Sequence, residues 1–148
     1  METVIREIKD THYAKLFAEL EANSGAPKPW STNLYESEFL NPNVKCYGLF
    51  QQGTLLAFII FQVVLDEADI SNFVVKKDFQ GQGFGNNLLS FAISELKSLG
   101  IKKIKLEVRE FNISAKHLYE KMGFKIVATR QGYYSDTGEL AILMDLDF

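Results

Sequence analysis

The sequence predicts an α/β fold: a central mixed sheet of about seven strands flanked by about four helices. Three observations carry the prediction. Apolar residues recur at intervals of two in some segments and of three and four in others. A strand-like segment runs straight into a glycine-rich loop and then into a helical one. The elements follow the order strand, two helices, three strands, helix, strand, helix, two strands, which requires a sheet covered on both faces.

Val4, Ile5 and Ile8 predict the first strand. Asp10 or Thr11 can then cap a helix whose Tyr13, Leu16, Phe17 and Leu20 share one face, and that helix ends near Gly25. Two prolines between residues 26 and 30 forbid helix there and predict an extended loop carrying Trp30. Ser31 or Asn33 can start a second helix through Leu40, which Asn41 and Pro42 stop. Residues 44–50 and 54–65 are rich in β-branched and aromatic side chains around a turn at Gln51, Gln52 and Gly53, the pattern of a hairpin. Residues 68–75 form a third consecutive strand that feeds the glycine loop.

Beyond that loop, Leu88, Leu89, Ala92, Ile93, Leu96 and Leu99 define one apolar stripe along a helix closed by Gly100. Ile104, Leu106 and Val108 alternate with Lys103, Lys105 and Glu107, as in a half-buried strand. Asn112 can cap a last helix with Ala115, Leu118, Tyr119 and Met122 on one face and Gly123 at its end. Residues 124–130 and 140–146 supply the final two strands. The glycine loop then lies at the carboxyl end of a strand in a strand-helix-strand unit, where open α/β sheets bind ligands.

Composition narrows the function. One compact domain over residues 1–148 is expected from the length, and 47% hydrophobic residues place the chain outside the disordered regime. The net charge of −3 provides no basic field for a nucleic-acid backbone and favours a basic partner. The lone Cys46 has no disulfide partner, no secretory leader is legible, and no apolar run reaches the about 20 residues of a membrane span, so a cytoplasmic protein without membrane contact is expected. One Cys and two scattered His, His12 and His117, define no metal site.

The loop Gln80, Gly81, Gln82, Gly83, Phe84, Gly85 stands where unpaired N–H groups and a helix dipole favour an anion, and a pyrophosphate fits that chemistry. A dinucleotide fingerprint requires glycine where Asn86 stands, and the lysine of a triphosphate-binding loop is missing. A plain tight turn is the competing reading of three glycines.

Gln80, Gly83 and Gly85 resemble the signature of the GNAT N-acetyltransferase superfamily. Residues 64–75 (VLDEADISNFVV), 106–109 (LEVR), Asn112, Leu118-Tyr119-Glu120, Gly123-Phe124, Tyr133-Tyr134 and the early Pro29-Trp30 are similar to the ribosomal-protein-alanine N-acetyltransferases of bacteria. The resemblance covers residues 29–146. It implies that acetyl-CoA lies in a gap between residues 70–75 and 103–108 as co-substrate. Phe73, Val74, Val75 and Asn112 would touch its arm, and residues Gly81 to Asn86 its pyrophosphate. Arg or Lys often stands inside the loop in the family. Here Gly81, Gln82 and Asn86 leave backbone donors dominant. Leu140 replaces an acidic residue that often follows the position of Glu139.

Acetyl transfer needs a neutral amine, and an α-amino group with an ordinary pKa of about 7.7–8.0 is partly protonated at neutral pH. The resemblance gives the base role to Glu107 and the proton for the departing thiolate to Tyr119, which would also border the cofactor. Without it, Glu107 reads first as a solvated strand residue, and Tyr119 equally as a core residue or as a proton donor. The strand before the loop offers Glu67 and Asp69 as rival bases. Trp30, Tyr133, Tyr134 and Glu139 are candidates for the acceptor groove. The acceptor is expected to be a protein N-terminus, with a small-molecule amine as the alternative. A non-catalytic acyl-CoA sensor is the reading from a different class.

Overall fold

The computed structural model describes residues 2–131 and 134–148. Its elements run β1 (Thr3–Glu7), α1 (Tyr13–Ala22), α2 (Thr32–Leu40), β2 (Val44–Gln51), β3 (Thr54–Val64), β4 (Glu67–Val75), a 3₁₀ turn (Lys77–Phe79), α3 (Phe84–Ser98), β5 (Lys103–Arg109), α4 (Ile113–Lys121), β6 (Lys125–Arg130) and β7 (Ala141–Asp147). The seven strands form one sheet in the order β1-β2-β3-β4-β5-β7-β6, and the four helices complete the expected architecture. Neighbouring strands are antiparallel except β4 and β5, the pair joined through α3.

Local signals set most helix ends. Ser31 caps α2 by accepting the Leu34 N–H, and Asn112 caps α4 by accepting the Ala115 N–H. At α1 neither expected cap is used. His12 occupies that position with no side-chain bond to the helix, while Asp10 accepts its N–H. Leu99, assigned to the buried stripe, lies past the last turn of α3 and is 58% exposed.

Alternation along the strands divides the core into two layers. One face carries Ala14, Phe17, Leu20, Tyr35, Phe58, Ile60 and Val74 under α1 and α2. The other carries Leu88, Leu89, Ala92, Leu96, Ile104, Leu106, Val108 and Tyr119 under α3 and α4. Phe17 stacks flat on Phe58 at 3.8 Å and meets the edge of Tyr35 at 5.6 Å, which locks α1 and α2 to the middle of the sheet. Among the described residues no helix is long and apolar enough to cross a membrane.

The core holds protonated groups that resist ionisation. Burial pushes the Tyr47 phenol up to about 12, with the Glu7 and Glu95 charges adding to the effect. Burial also raises Tyr35, Cys46 and Tyr119. In the unfolded chain tyrosines ionise near their ordinary value of about 10, so above that pH the unfolded state binds fewer protons and gains on the native one. Stability is therefore expected to hold up to about pH 9 and then fall steadily. Thermal melts between pH 8 and 11 check this, and a constant Tm over that range would contradict it.

Candidate active site

β4 and β5 start as partners and then separate. Their register covers only Glu67 opposite Lys103, Ala68 opposite Ile104 and Asp69 opposite Lys105. The cause is a bulge in β4: Ile60 of β3 faces Asn72 while the next residue, Phe61, faces Ile70, so Ser71 is inserted without a partner. Such an insertion bends the strand that carries it. β5 stays in register with β7 from Lys103 to Arg109. The result is a gap whose walls are the second half of β4 and the second half of β5.

The backbone groups facing that gap follow from alternation. Lys76 N–H donates to Leu56 C=O, so Lys76 and Val74 turn toward β3, and Phe73 and Val75 turn toward the gap. The contact expected from Val74 therefore goes elsewhere: its backbone faces Phe58, and its side chain is buried under α1 and α2. Phe73 N–H is held by the Asn72 side-chain oxygen at 3.0 Å, and Val75 C=O accepts from Gln80 Nε2 at 2.9 Å. Among the described residues, Phe73 C=O and Val75 N–H keep no protein partner and remain open to a ligand running along the strand.

The glycine loop closes one end of the gap. Gly83 has φ 88°, in the left-handed region that costs a side-chain-bearing residue steric strain, and it sets the first turn of α3. A Cβ on Gly85 would stand 3.2 Å from Val75 Cγ2 and 3.5 Å from Phe73 Cζ, so a side chain here would have to push the Val75 methyl aside by a few tenths of an ångström to keep α3 this close to β4. The helix has no side-chain cap, and its first internal bond is Asn87 N–H to Gly83 C=O. The N–H groups of Phe84, Gly85 and Asn86 thus point out of the helix end as anion donors. Gln82 bonds back to Asp78 C=O, and Gln80 also donates to Ser24 C=O, so both glutamine side chains shape the loop and leave the donor role to the backbone. The Asn86 side-chain oxygen is buried and has no hydrogen-bond partner among the described residues. Phe84 is half-buried against the edge of Phe79 at 5.9 Å.

The two expected acid-base residues flank the gap from opposite faces of the sheet. Glu107 alternates with buried Leu106 and Val108 and so faces the side that bears α1 and α2. Tyr119 lies under α4 on the other side, 7% exposed, its ring 6.5 Å from Phe73 and 5.6 Å from Phe124. Burial pushes its phenol up, so it stays protonated throughout the neutral range. Tyr134 donates its hydroxyl to Glu107 Oε2 at 2.9 Å, and Arg130 lies 4.0 Å from Oε1. The rival carboxylates sit at the closed end, where β4 and β5 still pair, and Glu67 is engaged by Lys105 at 3.6 Å.

Arg109 organises the loop that carries Tyr134. Its guanidinium binds both Asp136 oxygens at 3.0 Å, reaches Glu139 at 3.4 Å and covers the Tyr134 ring at 4.1 Å. Glu139, 5% exposed, accepts from Thr137 Oγ1 and from Phe111 N–H. Those two bonds, and then the nearby Arg109, hold its carboxyl below the ordinary range. Glu139 therefore braces the loop from beneath and does not line an open groove. Arg109 likewise lowers Asp136, with a further contribution from Lys28 in the α1–α2 loop. The α1–α2 loop and the loop before β7 thus approach each other on the Glu107 face.

Trp30 belongs to the α1–α2 loop, half-buried with its ring 5.1 Å from Tyr35. Asn112 is exposed at the start of α4, its amide oxygen used as the cap. Tyr133, expected in the acceptor groove, lies outside the described residues. Cys46 is buried in the α1–α2 core, and the described residues contain no cluster of three or more His, Cys, Asp or Glu able to hold a metal. Arg109 and Asn72 went unassigned from sequence. The first had a signal, since it stands two residues from Glu107 and so shares its face. The second had none, because nothing local marks the bulge.

The model of the acetyltransferase (GNAT) family matches residues 5–124. This chain belongs to the GNAT acetyltransferases. The GNAT chain is 42% identical over 124 residues to the ribosomal protein bS18-alanine N-acetyltransferase of Escherichia coli, covering 80% of each. It is 37% identical over 136 residues to the enzyme of that name from Haemophilus influenzae, covering 89% of this chain and 88% of the other. The crystal structure of the Escherichia coli enzyme superposes with a TM-score of 0.92 at 36% identity, covering 99% of this chain and 94% of that one. The GNAT chain is thus an N-acetyltransferase with a seven-stranded mixed sheet, as the sequence predicts.

Proposed function

We propose that this GNAT enzyme acetylates the N-terminal α-amino group of a ribosomal protein, with acetyl-CoA as donor. The observation that carries the reading is the placement of Glu107 and Tyr119 on opposite faces of one gap, whose wall exposes unpaired backbone groups and whose end is a helix N-terminus. The relatives' names supply the acceptor class, and the net charge of −3 suits a basic ribosomal protein.

The site fits acetyl-CoA. Phe73 C=O and Val75 N–H would hold its amide-bearing arm, the N–H groups of Phe84, Gly85 and Asn86 at the start of α3 its pyrophosphate, and Asn112 would supply a polar side-chain contact. The chemistry it supplies is an acyl group activated as a thioester. Glu107 takes a proton from the incoming ammonium, directly or through water, and returns it to solvent along the exposed face. Tyr119, kept protonated by burial, would give its proton to the departing sulfur on the other face as the C–S bond breaks, and would be reprotonated by the second proton that the amine nitrogen releases. Trp30 and Tyr134 border the acceptor's approach from the Glu107 side.

The reading is tested by incubating the protein with acetyl-CoA and peptides that differ only in their first residues, with thiol release as signal. Turnover is expected with peptides that begin like the relatives' alanine-terminated substrate. Rapid turnover of polyamines or amino sugars with none on peptides would overturn the acceptor class. Binding of acetyl-CoA with no thiol release on any amine would reduce the protein to a sensor.

A further inference from the structure

Glu21, near the end of α1, is a carboxylate that the proposed mechanism does not use, and it is only 4% exposed. A charge buried this deeply is retained only with strong partners. One oxygen, Oε1, accepts from both Trp30 N–H at 2.8 Å and the Tyr35 hydroxyl. The Tyr35 oxygen in turn accepts from Asn72 Nδ2 at 2.7 Å, and Asn72 Oδ1 accepts from Phe73 N–H at 3.0 Å. The chain of bonds thus runs from the α1–α2 loop, through α2, to the gap-facing backbone of β4. It joins the residue that borders the acceptor to the residue that lines the donor's path.

We infer that Glu21 is a positioning residue for acetyl transfer, one carboxylate oxygen fixing the acceptor-side loop at Trp30 and, through Tyr35 and Asn72, the backbone of Phe73 at the gap. The inference rests on the acetyltransferase reading above. The two arms are separable. Removing the Tyr35 hydroxyl cuts the β4 arm and leaves the Trp30 bond in place, whereas removing the Glu21 carboxylate cuts both. A glutamine at position 21 keeps an oxygen that accepts from both donors.

The test is steady-state kinetics with acetyl-CoA and an acceptor peptide, with melting temperature measured alongside. Tyr35→Phe is expected to raise the KM for acetyl-CoA about fivefold with the peptide KM unchanged. Glu21→Ala raises the peptide KM about tenfold or more and the acetyl-CoA KM with it. Glu21→Gln stays within about threefold of wild type in both. Lower melting temperatures with both KM values unmoved would make the network purely structural and overturn the inference. Should Glu21→Ala fail to fold, the volume-conserving Tyr35→Phe decides alone, and an unchanged acetyl-CoA KM overturns it. Wild-type protein that turns over no amine would instead defeat the acetyltransferase reading and take this inference with it. An active wild type with unmoved variants defeats the inference only.

Discussion

Glu107→Gln is expected to lower kcat by about a hundredfold to ten-thousandfold, the range of a positioned general base, with little change in either KM. The substitution is close to isosteric, and the new amide oxygen can still accept the Tyr134 hydroxyl that Glu107 Oε2 accepts now at 2.9 Å. What disappears is the ability to take a proton from the acceptor ammonium. The residual rate should therefore climb with pH through the range of the amine itself, about 7.7–8.0 for an α-amino group, as solvent supplies the neutral form. Rates on one peptide from pH 6 to 9, for both proteins, check this. A kcat within twofold of wild type would remove Glu107 from the proton transfer and return attention to Glu67 and Asp69, despite their place at the closed end of the gap.

Tyr119→Phe is expected to reduce kcat over the same span, about a hundredfold to ten-thousandfold, while acetyl-CoA binds as before. The ring is what packs: it meets Phe73 and Phe124 and fills the core under α4, and phenylalanine preserves those contacts. Only the proton offered to the departing sulfur is lost. Calorimetry with acetyl-CoA beside single-turnover thiol release separates the two effects. An equal loss of binding and rate would mean that the hydroxyl holds the ligand, and an unchanged rate would show that solvent protonates the thiolate.

The parts of this molecule legible in the sequence are those that short-range chemistry specifies. The α2 and α4 caps, Ser31 and Asn112, are read from residue type and the pattern that follows. The buried alternation of Ile104, Leu106 and Val108 fixes which face Glu107 presents. The gap was expected from family resemblance alone, because its cause, the bulge at Ser71, depends on how β4 meets β3 and leaves no local mark. The same limit explains Val74: a one-residue insertion upstream decides which backbone groups turn outward, and periodicity cannot count it. The burial of Glu139, a candidate for the acceptor groove, leaves no local mark because its partners, Phe111 N–H and Arg109, are far from it along the chain. The Glu21, Tyr35 and Asn72 chain is invisible for the same reason, since three separate elements contribute one residue each.

β4 and β5 stop pairing after Asp69 and Lys105, and from there on the two sides of the split are presented by opposite faces of the sheet, Glu107 on one and Tyr119 on the other. The two reactants need not share a doorway. A growing or finished polypeptide can present its first residue on one side while the bulky nucleotide carrier docks on the other, and each can withdraw without displacing its counterpart. An acceptor as large as a ribosomal protein is compatible with so small a catalyst for that reason: it has only to thread a few residues inward, and the rest of its mass stays outside.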